Sequence, residues 1–249
     1  MHSDLNISNN RIKEIKKLHL KKYREENRLF IVEGEKAAEE ILNEKIEIVD
    51  IYAVENYKPK FKHNNIKYIS EQDMQKISTT SSACEILIVA RQKNTQLKDV
   101  CGNNLILLDR ISDPGNLGTI IRSASAFKID GIILYGDSVE LYSPKVIRSC
   151  AGNFFKVPIV NVKDISVFKQ NYSDYKLVST ALREDKTINF EQLRSIGKKI
   201  IMFGSEADGL SDELLKIADY NVLINMSKNV ESLNLSVSAS IVMYENSIS

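Results

Sequence analysis

Apolar runs alternate with helical periodicity along the second part of the chain. The runs that predict strands are short, apolar and bounded by polar or glycine residues, and they cover 105–111, 130–136, 156–160, 176–182, 198–204 and 221–226. Helical patterns lie between them over 118–127 and 211–218, and a final helix is predicted over 236–246. Apolar strands that alternate with helices predict a mostly parallel sheet covered by helices on both faces.

The first part of the chain carries a smaller mixture of helix and strand patterns. Apolar residues recur at helical spacing over 12–18, a second helix is predicted over 35–42, and strand-like runs include 49–54 and 84–91. The polar segment 91–104 has almost no apolar periodicity and is the predicted linker. The sequence therefore predicts two α/β domains, 1–99 and 100–249.

Composition excludes several classes of protein. No apolar run approaches the roughly 18 residues of a membrane-spanning helix, and the polar N-terminus lacks the apolar region of a signal peptide. The three cysteines lie far apart with no C-x-x-C pair, which argues against a zinc site and suits a reducing cytoplasm. All three histidines precede residue 100, so the second domain has no histidine-based triad or metal site.

Positive charge is concentrated near the N-terminus. The net charge is only +1, but residues 11–28 hold eight Lys or Arg against three Glu. Such a cluster is what a nucleic-acid partner needs, because phosphates are bound through counterion release. A solvated helix face is the alternative interpretation of this segment.

Three segments of the second domain combine an apolar strand with a loop of chemically active residues. The first, DPGNLGTIIR (113–122), places Asn116 in a turn and Arg122 on the helix that Gly118 is predicted to open, a pattern suited to a phosphate or to a plain surface arginine. The second, FGSEADGLS (203–211), places Glu206 at a strand end between Gly204 and Gly209; a solvent-exposed loop residue is the alternative.

The third segment, INMSKNVESLNLSVSASIVMYE (224–245), leads into the last helix. Ser232 and Asn234 flank Leu233 at its entrance, where Ser232 taken alone would be a helix N-cap. Neither the dinucleotide fingerprint G-x-G-x-x-G nor the phosphate loop G-x-x-x-x-G-K-[ST] occurs in the chain. Nucleotide binding of those two types is therefore not indicated.

Together, in this order and spacing, the three segments resemble the three motifs of the SpoU (TrmH-type) branch of the SPOUT RNA methyltransferases. Residues 11–42 are similar to the ribosomal-protein-like substrate-binding domain that precedes the catalytic domain in many members. The resemblance implies a catalytic domain with a deep trefoil knot, an exception to the rule against knots. It also implies binding of S-adenosylmethionine, a homodimer with the active site near the subunit interface, and methylation of a ribose 2′-hydroxyl in RNA.

The resemblance also implies roles for individual residues. The positions that match the family's catalytic and active-site residues are Asn116, Arg122, Glu206, Ser232 and Asn234. Those that match its cofactor-binding residues are Gly204, Ile224 and Leu233; the apolar pattern alone would place Ile224 and Leu233 in the core. The chain departs from the family pattern at Asn225, where many members have proline, and at Cys150, which replaces a commoner serine and is expected to be a buried neighbour of the site.

Large-subunit rRNA is the expected substrate, because a separate N-terminal module is common among members that modify it. A tRNA ribose methyltransferase is the alternative within the same chemistry. A catalytically inactive knotted RNA-binding protein is the alternative from a different class, although the presence of Arg122, Glu206, Ser232 and Asn234 argues against it.

Overall fold

The computed structural model describes residues 7–183, 185–227 and 229–248. Contacts within the chain divide it into two compact units. The first unit holds the residues up to Asn94 together with Glu140–Phe155, and the second holds Thr95–Val139 and the residues from Lys156 onward. The segment Glu140–Phe155 therefore packs with the first unit, although it lies within the span of the second along the sequence.

The first unit is a four-stranded mixed sheet with helices. Its elements in chain order are α1 (Asn9–Lys17), α2 (Lys21–Asn27), β1 (Leu29–Glu33), α3 (Glu35–Asn43), β2 (Ile48–Val54), β3 (Ile66–Ile69), α4 (Glu71–Ile77) and β4 (Ile86–Arg91). The strand order is β1-β4-β2-β3, with β4 antiparallel to both of its neighbours and β2 parallel to β3. Ile12, Ile15 and Leu18, the predicted apolar stripe of the first helix, are buried in its core.

The second unit is built on a seven-stranded sheet in which every neighbouring pair is parallel. Its strands are β5 (Asn104–Asp109), β6 (Gly131–Tyr135), β7 (Ile159–Val162), β8 (Lys176–Ser179), β9 (Thr187–Ile188), β10 (Lys199–Phe203) and β11 (Tyr220–Val222). They lie in the order β7-β6-β5-β10-β8-β11-β9. The predicted parallel α/β sheet is therefore observed, and β10, fully buried, lies at its centre between β5 and β8.

Helices and turns connect these strands. They are α5 (Pro114–Ala126), α6 (Pro144–Ser149), α7 (Ile165–Asn171), α8 (Phe190–Ser195), α9 (Asp212–Ile217) and α10 (Leu235–Ser247), with one short 3-10 turn at Leu97–Asp99. Of these, α6 belongs to the segment that packs with the first unit. No helix within the described ranges is both long and apolar enough to cross a membrane.

The start of α5 differs from the prediction that Gly118 opens this helix. The helix begins at Pro114, and the Asp113 carboxylate caps it by accepting a hydrogen bond from the Asn116 amide. The sequence Asp-Pro is a strong start signal, since aspartate favours the N-cap and proline loses no hydrogen bond in the first turn. Asn116 therefore lies on the first turn of the helix instead of in a preceding turn.

Two predicted strands end three and four residues earlier than expected. The strand predicted over 176–182 ends at Ser179, and the strand predicted over 221–226 ends at Val222. Apolar composition continues past both ends, but the chain leaves the sheet there to line a cleft. A third strand, predicted over 156–160, instead covers Ile159–Val162, because Pro158 has no amide hydrogen to donate to a ladder.

Cys150 belongs to the segment Glu140–Phe155, which packs with the first unit. It follows α6 in the first unit, where it is fully buried and its thiol donates to the Val146 carbonyl oxygen at 3.1 Å. Burial raises the pKa of this thiol well above its ordinary value. A nucleophilic role for Cys150 is excluded by this burial, because the thiolate is the reactive form of cysteine.

Candidate active site

A cleft of about 600 Å³ opens at the carboxyl ends of β8, β10 and β11. In parallel α/β sheets this end of the strands is where ligands bind. Its wall is formed by the three segments that follow these strands and by the entrance to α10. Six of the eight predicted site residues line it: Gly204, Glu206, Ile224, Ser232, Leu233 and Asn234.

The segment between β10 and α9, residues 204–211, forms a tight loop that we call the glutamate loop. Ser205 and Gly209 pair through two backbone hydrogen bonds of 3.0 and 3.1 Å, which close the loop on itself. Gly209 has a φ of 69°, a conformation that glycine adopts without steric cost. Glu206 projects from this closed turn, and its side chain is exposed at the edge of the cleft.

Gly204 is required by the loop itself. A Cβ atom at this position would lie 2.0 Å from the Gly209 carbonyl carbon and 2.1 Å from the Leu210 nitrogen, far inside van der Waals distance. The sequence predicts that Gly204 lets a ligand approach the backbone. In the structure the chain's own backbone makes that close approach, while Gly204 also lines the cleft.

Glu206 is held by two donors from the segment after β5. Its Oε1 accepts a hydrogen bond from Asn116 Nδ2 at 2.8 Å, and its Oε2 accepts one from the Ser112 hydroxyl at 3.2 Å. Partial burial alone would raise the pKa of Glu206, but the hydrogen bonds from Asn116, from backbone amides and from Ser112 outweigh it. The pKa of Glu206 is therefore below its ordinary value, and the side chain is a carboxylate at neutral pH.

Asn116 links this carboxylate to the start of the last helix. A carboxylate can only accept, so Asn116 must present its NH₂ group to Glu206, which leaves its Oδ1 as an acceptor. Asn234 Nδ2 donates to that Oδ1 at 3.1 Å. Asn234 in turn caps α10, because its Oδ1 accepts from the backbone amide and the hydroxyl of Ser236 at 2.9 and 2.7 Å. The cap of this helix is Asn234 and not Ser232.

Arg122 is not brought into this network. It lies on α5 two turns after Asn116, its side chain is exposed, and within the described ranges it makes no hydrogen bond or ion pair. A guanidinium is always charged and presents five N–H donors. Arg122 is therefore a fixed positive charge available to a partner outside the chain.

Two groups of residues at the site were not predicted from the sequence. Ser112, which holds Glu206, carries only a weak signal as one more polar residue in a loop rich in turn formers. Thr180, Ala181 and Leu182 line the cleft, whereas their apolar pattern predicts the end of a strand. No cluster of three or more potential metal ligands occurs in the part of the chain that the structure describes.

The fold and the cleft define an α/β protein with a cleft at the carboxyl ends of a parallel sheet, the place where such sheets bind ligands. The sequence model of the SpoU rRNA Methylase family matches residues 103–244, more than half of the chain. The chain therefore belongs to the SpoU rRNA methylase family. A second model, the MRM3-like substrate binding domain, matches residues 9–87. Family membership confirms the predicted enzyme class, an S-adenosylmethionine-dependent RNA methyltransferase.

Individual relatives match along almost the whole chain. A 23S rRNA (guanosine(2553)-2'-O)-methyltransferase, RlmP of Bacillus subtilis, is 28% identical over 240 residues, which cover 95% of each chain. The crystal structure of an AdoMet-bound rRNA methyltransferase from Sinorhizobium meliloti is 26% identical, with a TM-score of 0.84 over 97% of this chain and 95% of that one.

A third relative, the SpoU methyltransferase AviRb from Streptomyces viridochromogenes in complex with AdoMet, superposes with a TM-score of 0.87. It is 22% identical, over 96% of this chain and 97% of that one, and shows the fold alone. These structures confirm the predicted fold class, a parallel α/β sheet flanked by helices and preceded by a small α/β domain. The trefoil knot stays a prediction.

Proposed function

We propose that this protein transfers the methyl group of S-adenosylmethionine to a ribose 2′-hydroxyl in large-subunit rRNA. The observation that carries the proposal is the network of Glu206, Asn116 and Asn234 at the edge of a cleft at the carboxyl ends of the sheet. The full-length likeness to an enzyme named for this reaction on 23S rRNA supports the choice of substrate. A role in rRNA modification also supports a cytoplasmic location.

The cleft fits S-adenosylmethionine in size and lining. Pockets for ligands of this size measure about 300–1,000 Å³ and combine apolar walls with a few polar groups. Here Ile224 and Leu233 supply apolar wall, and the backbone around Gly204 supplies polar groups on the same wall. We assign these three residues to holding the cofactor, which when bound supplies a methyl group activated by a sulfonium.

Glu206 orients the acceptor and is not its base in this proposal. A carboxylate with a lowered pKa is a weak base, poorly matched to the high pKa of a ribose hydroxyl. Its exposed lone pairs are suited to accepting a hydrogen bond from the hydroxyl and fixing the angle of attack on the methyl group. Such positioning supplies a large share of the acceleration in displacement reactions. Asn116 fixes the carboxylate, and Ser232 and Asn234 shape the side of the cleft where the substrate enters.

Arg122 is the proposed electrostatic partner of the RNA. Its free guanidinium is suited to holding the phosphate next to the target ribose and to stabilising the negative charge that develops on the 2′-oxygen. Deprotonation of Arg122 is not required for this role. As the 2′-oxygen takes the methyl group, the sulfonium leaves as a neutral thioether and the hydroxyl proton passes to solvent water. Because Arg122 makes no contact with Glu206 in the described chain, the two residues act on different parts of the substrate.

We also propose a homodimer. The outer face of α10 carries an apolar stripe, in which Val237 and Tyr244 are seven residues apart and 46% and 52% exposed. Exposed apolar residues at this spacing form one side of a helix that another protein surface could cover. The dimer should have twice the 28.2 kDa mass of one chain in light scattering. A single-chain mass at micromolar concentration would exclude it.

The first unit is proposed to select the RNA. On α1, Lys13, Lys16 and Lys17 are exposed and make no ion pair in the described structure. These three lysines of the basic segment 11–28 are free to bind phosphates. The match of this unit to a substrate-binding domain supports the same assignment.

The direct biochemical test is transfer of a labelled methyl group from S-adenosylmethionine to purified RNAs. Large-subunit rRNA should become labelled, and the label should be recovered as a 2′-O-methylated nucleoside. Label in tRNA alone would favour the alternative substrate. Failure of the protein to bind S-adenosylmethionine in a calorimetric titration would favour an inactive RNA-binding protein.

A further inference from the structure

Asp109 and Arg110, at the end of β5, both contribute to holding the glutamate loop in place. Asp109 is the last residue of the strand and its side chain is fully buried. Its Oδ2 accepts a hydrogen bond from the backbone amide of Ser211 at 2.7 Å, which fixes the end of the loop. Its Oδ1 accepts from Arg110 Nε at 3.2 Å, which fixes the direction of the guanidinium.

The guanidinium of Arg110 reaches the turn of the loop. Arg110 Nη2 donates to the Gly209 carbonyl oxygen at 3.3 Å, and Nη1 lies 3.8 Å from the exposed Asp208 carboxylate. The Gly209 carbonyl is the same group that accepts the Ser205 amide and closes the loop. Arg110 therefore reinforces the pairing that gives the loop its shape.

Arg110 makes this contact from an unusual backbone conformation. Its φ is 51°, the left-handed region that costs energy for any residue with a Cβ atom. The Arg110 amide donates to the carbonyl oxygen of Tyr135, the last residue of β6, at 3.0 Å. Gly136, which follows Tyr135, has no side chain and so leaves room for the side chain of Arg110. A Cβ at Gly136 would lie 3.0 Å from Arg110 Cγ. The chain keeps an arginine in a conformation that glycine would adopt more easily.

We propose that Arg110 is a positioning residue that, together with Asp109, holds the glutamate loop in the shape that places Glu206 and forms the wall of the cofactor cleft. The inference rests on the proposed function for its consequence in catalysis. We call the contacts of Asp109 and Arg110 with the loop the latch. The geometry of the latch does not depend on the identity of the ligand. Loss of the latch is expected to loosen the loop, and the cleft wall with it, while the sheet stays intact.

The variant Arg110→Gly tests this directly, because it removes the guanidinium and relieves the backbone conformation at the same time. Its melting temperature should stay within about 5 °C of that of the parent, because relief of the backbone conformation offsets the loss of the cation beside the buried Asp109 carboxylate. Amide hydrogen exchange in a peptide covering residues 204–211 of the cofactor-free protein should nevertheless become faster, by about tenfold. Affinity for S-adenosylmethionine should fall by about tenfold, the lower end of what a hydrogen bond from a charged group contributes.

Lys128→Gly is the matched control. Lys128 is an exposed cation at a φ of 54° in the same unit, and it does not line the cleft. This variant should change neither the exchange of residues 204–211 nor cofactor affinity. Arg110→Lys should restore part of the protection, since a lysine can reach the same carbonyl. Arg110→Asn serves if the glycine variant does not fold, because asparagine tolerates this conformation.

Unchanged exchange of residues 204–211 in Arg110→Gly would overturn the latch. Faster exchange with unchanged cofactor affinity would overturn its role in forming the cleft. If the parent protein binds no S-adenosylmethionine, the proposed function fails, while the exchange measurement still decides whether Arg110 holds the loop.

Discussion

The orientation of the Glu206 side chain is set by its hydrogen-bond donors more than by its position in a loop. The side chain is exposed, yet two donors fix both of its oxygens. A side chain held in this way loses little further freedom when a substrate hydroxyl binds, because its rotamer is already chosen. The exposure that suggested an ordinary loop residue is what leaves the carboxylate accessible to the proposed RNA substrate.

Replacing Glu206 with Gln should lower the rate of methyl transfer by about tenfold or more, because the hydrogen bond to the substrate loses its charge. Cofactor affinity should change by less than about threefold, since the side chain keeps its shape. The measurement is single-turnover transfer together with a cofactor titration. An equal loss of rate and cofactor affinity would show that Glu206 supports the cleft instead of the substrate.

The parent and the Glu206→Gln variant should respond alike to pH near neutrality. The pKa of Glu206 in the folded chain is below the ordinary value of 4.5, so the carboxylate is almost fully charged above about pH 6. The stability that the charged Glu206 carboxylate gives to the folded chain is present in that pH range and is lost as pH falls through the folded pKa. The rate ratio of parent to Gln variant should therefore be constant from about pH 6 to 8. A ratio that changes within this range would contradict the assigned ionisation.

Arg122→Lys should keep part of the activity and weaken RNA binding, because a lysine keeps the charge but loses the paired donors that match a phosphate. Arg122→Ala should lose both charge and donors and be less active than the lysine variant. RNA affinity and single-turnover rates check this. A lysine variant with normal RNA affinity and no activity would contradict electrostatic stabilisation and favour a proton-accepting role.

At the level of elements, α10 connects the folding of the second unit to the candidate active site. Asn234 both caps this helix and donates to Asn116, so one side chain joins a structural and a functional contact. The side-chain hydroxyls of Ser123 and Ser240, which hydrogen bond at 2.7 Å, join α5 to α10 as well. The two helices that carry Asn116 and Asn234 are therefore fixed to each other.

Asn234→Asp separates these two roles. Aspartate caps helices as well as asparagine does but cannot donate to the Asn116 oxygen. The aspartate variant should keep its stability within about 0.5 kcal/mol and lose transfer activity, whereas Asn234→Ala should also lose about 1 kcal/mol of stability. Urea unfolding and transfer assays give the two readouts. Full activity in the aspartate variant would show that the link to Asn116 is dispensable.

For the second unit, the sequence predicts which segments form strands better than it predicts where those strands end. Periodicity reports burial, and a cleft wall such as residues 223–226 is apolar for the same reason as a strand. The capping of α5 by Asp113 is present in the sequence as an Asp-Pro signal, but the same residues also favour a turn, which is the structure predicted for them.

The candidate site was predictable only in part. The resemblance of three segments to the family's motifs indicated Glu206, Asn116 and Asn234, and the structure shows that hydrogen bonds link them. The contribution of Arg110 could not be predicted, because its partner Gly209 lies 99 residues away and the contact is with a backbone oxygen. The order of side chains along the sequence does not indicate a contact between a side chain and a distant backbone oxygen.

At the level of the whole molecule, the division into two units decides how RNA binding should be tested. Removing residues 1–99 would separate segment Glu140–Phe155 from the unit with which it packs. Phe30, for example, lies with its ring centroid 4.8 Å from that of Tyr142. A truncated chain would expose this apolar surface, so charge reversal is the better experiment.

Lys16→Glu combined with Lys17→Glu should weaken RNA binding and reduce the dependence of affinity on salt, by about 0.7 to 0.9 in slope for each phosphate that is no longer neutralised. Cofactor affinity should stay unchanged. The control is Lys163→Glu with Lys169→Glu, two exposed lysines of the second unit outside the cleft. Equal reductions of RNA affinity in the two double variants would show that the basic segment 11–28 has no special role.

The central claim is ribose methylation of large-subunit rRNA, and mapping 2′-O-methyl groups in cells tests it most directly. Total rRNA and tRNA would be mapped in cells with the gene, without it, and with the gene carrying Glu206→Gln. We expect one site in large-subunit rRNA to lose its 2′-O-methyl group without the gene and to regain little of it with the variant. Identical rRNA maps in all three strains, or a methyl group missing only from tRNA, would contradict the claim.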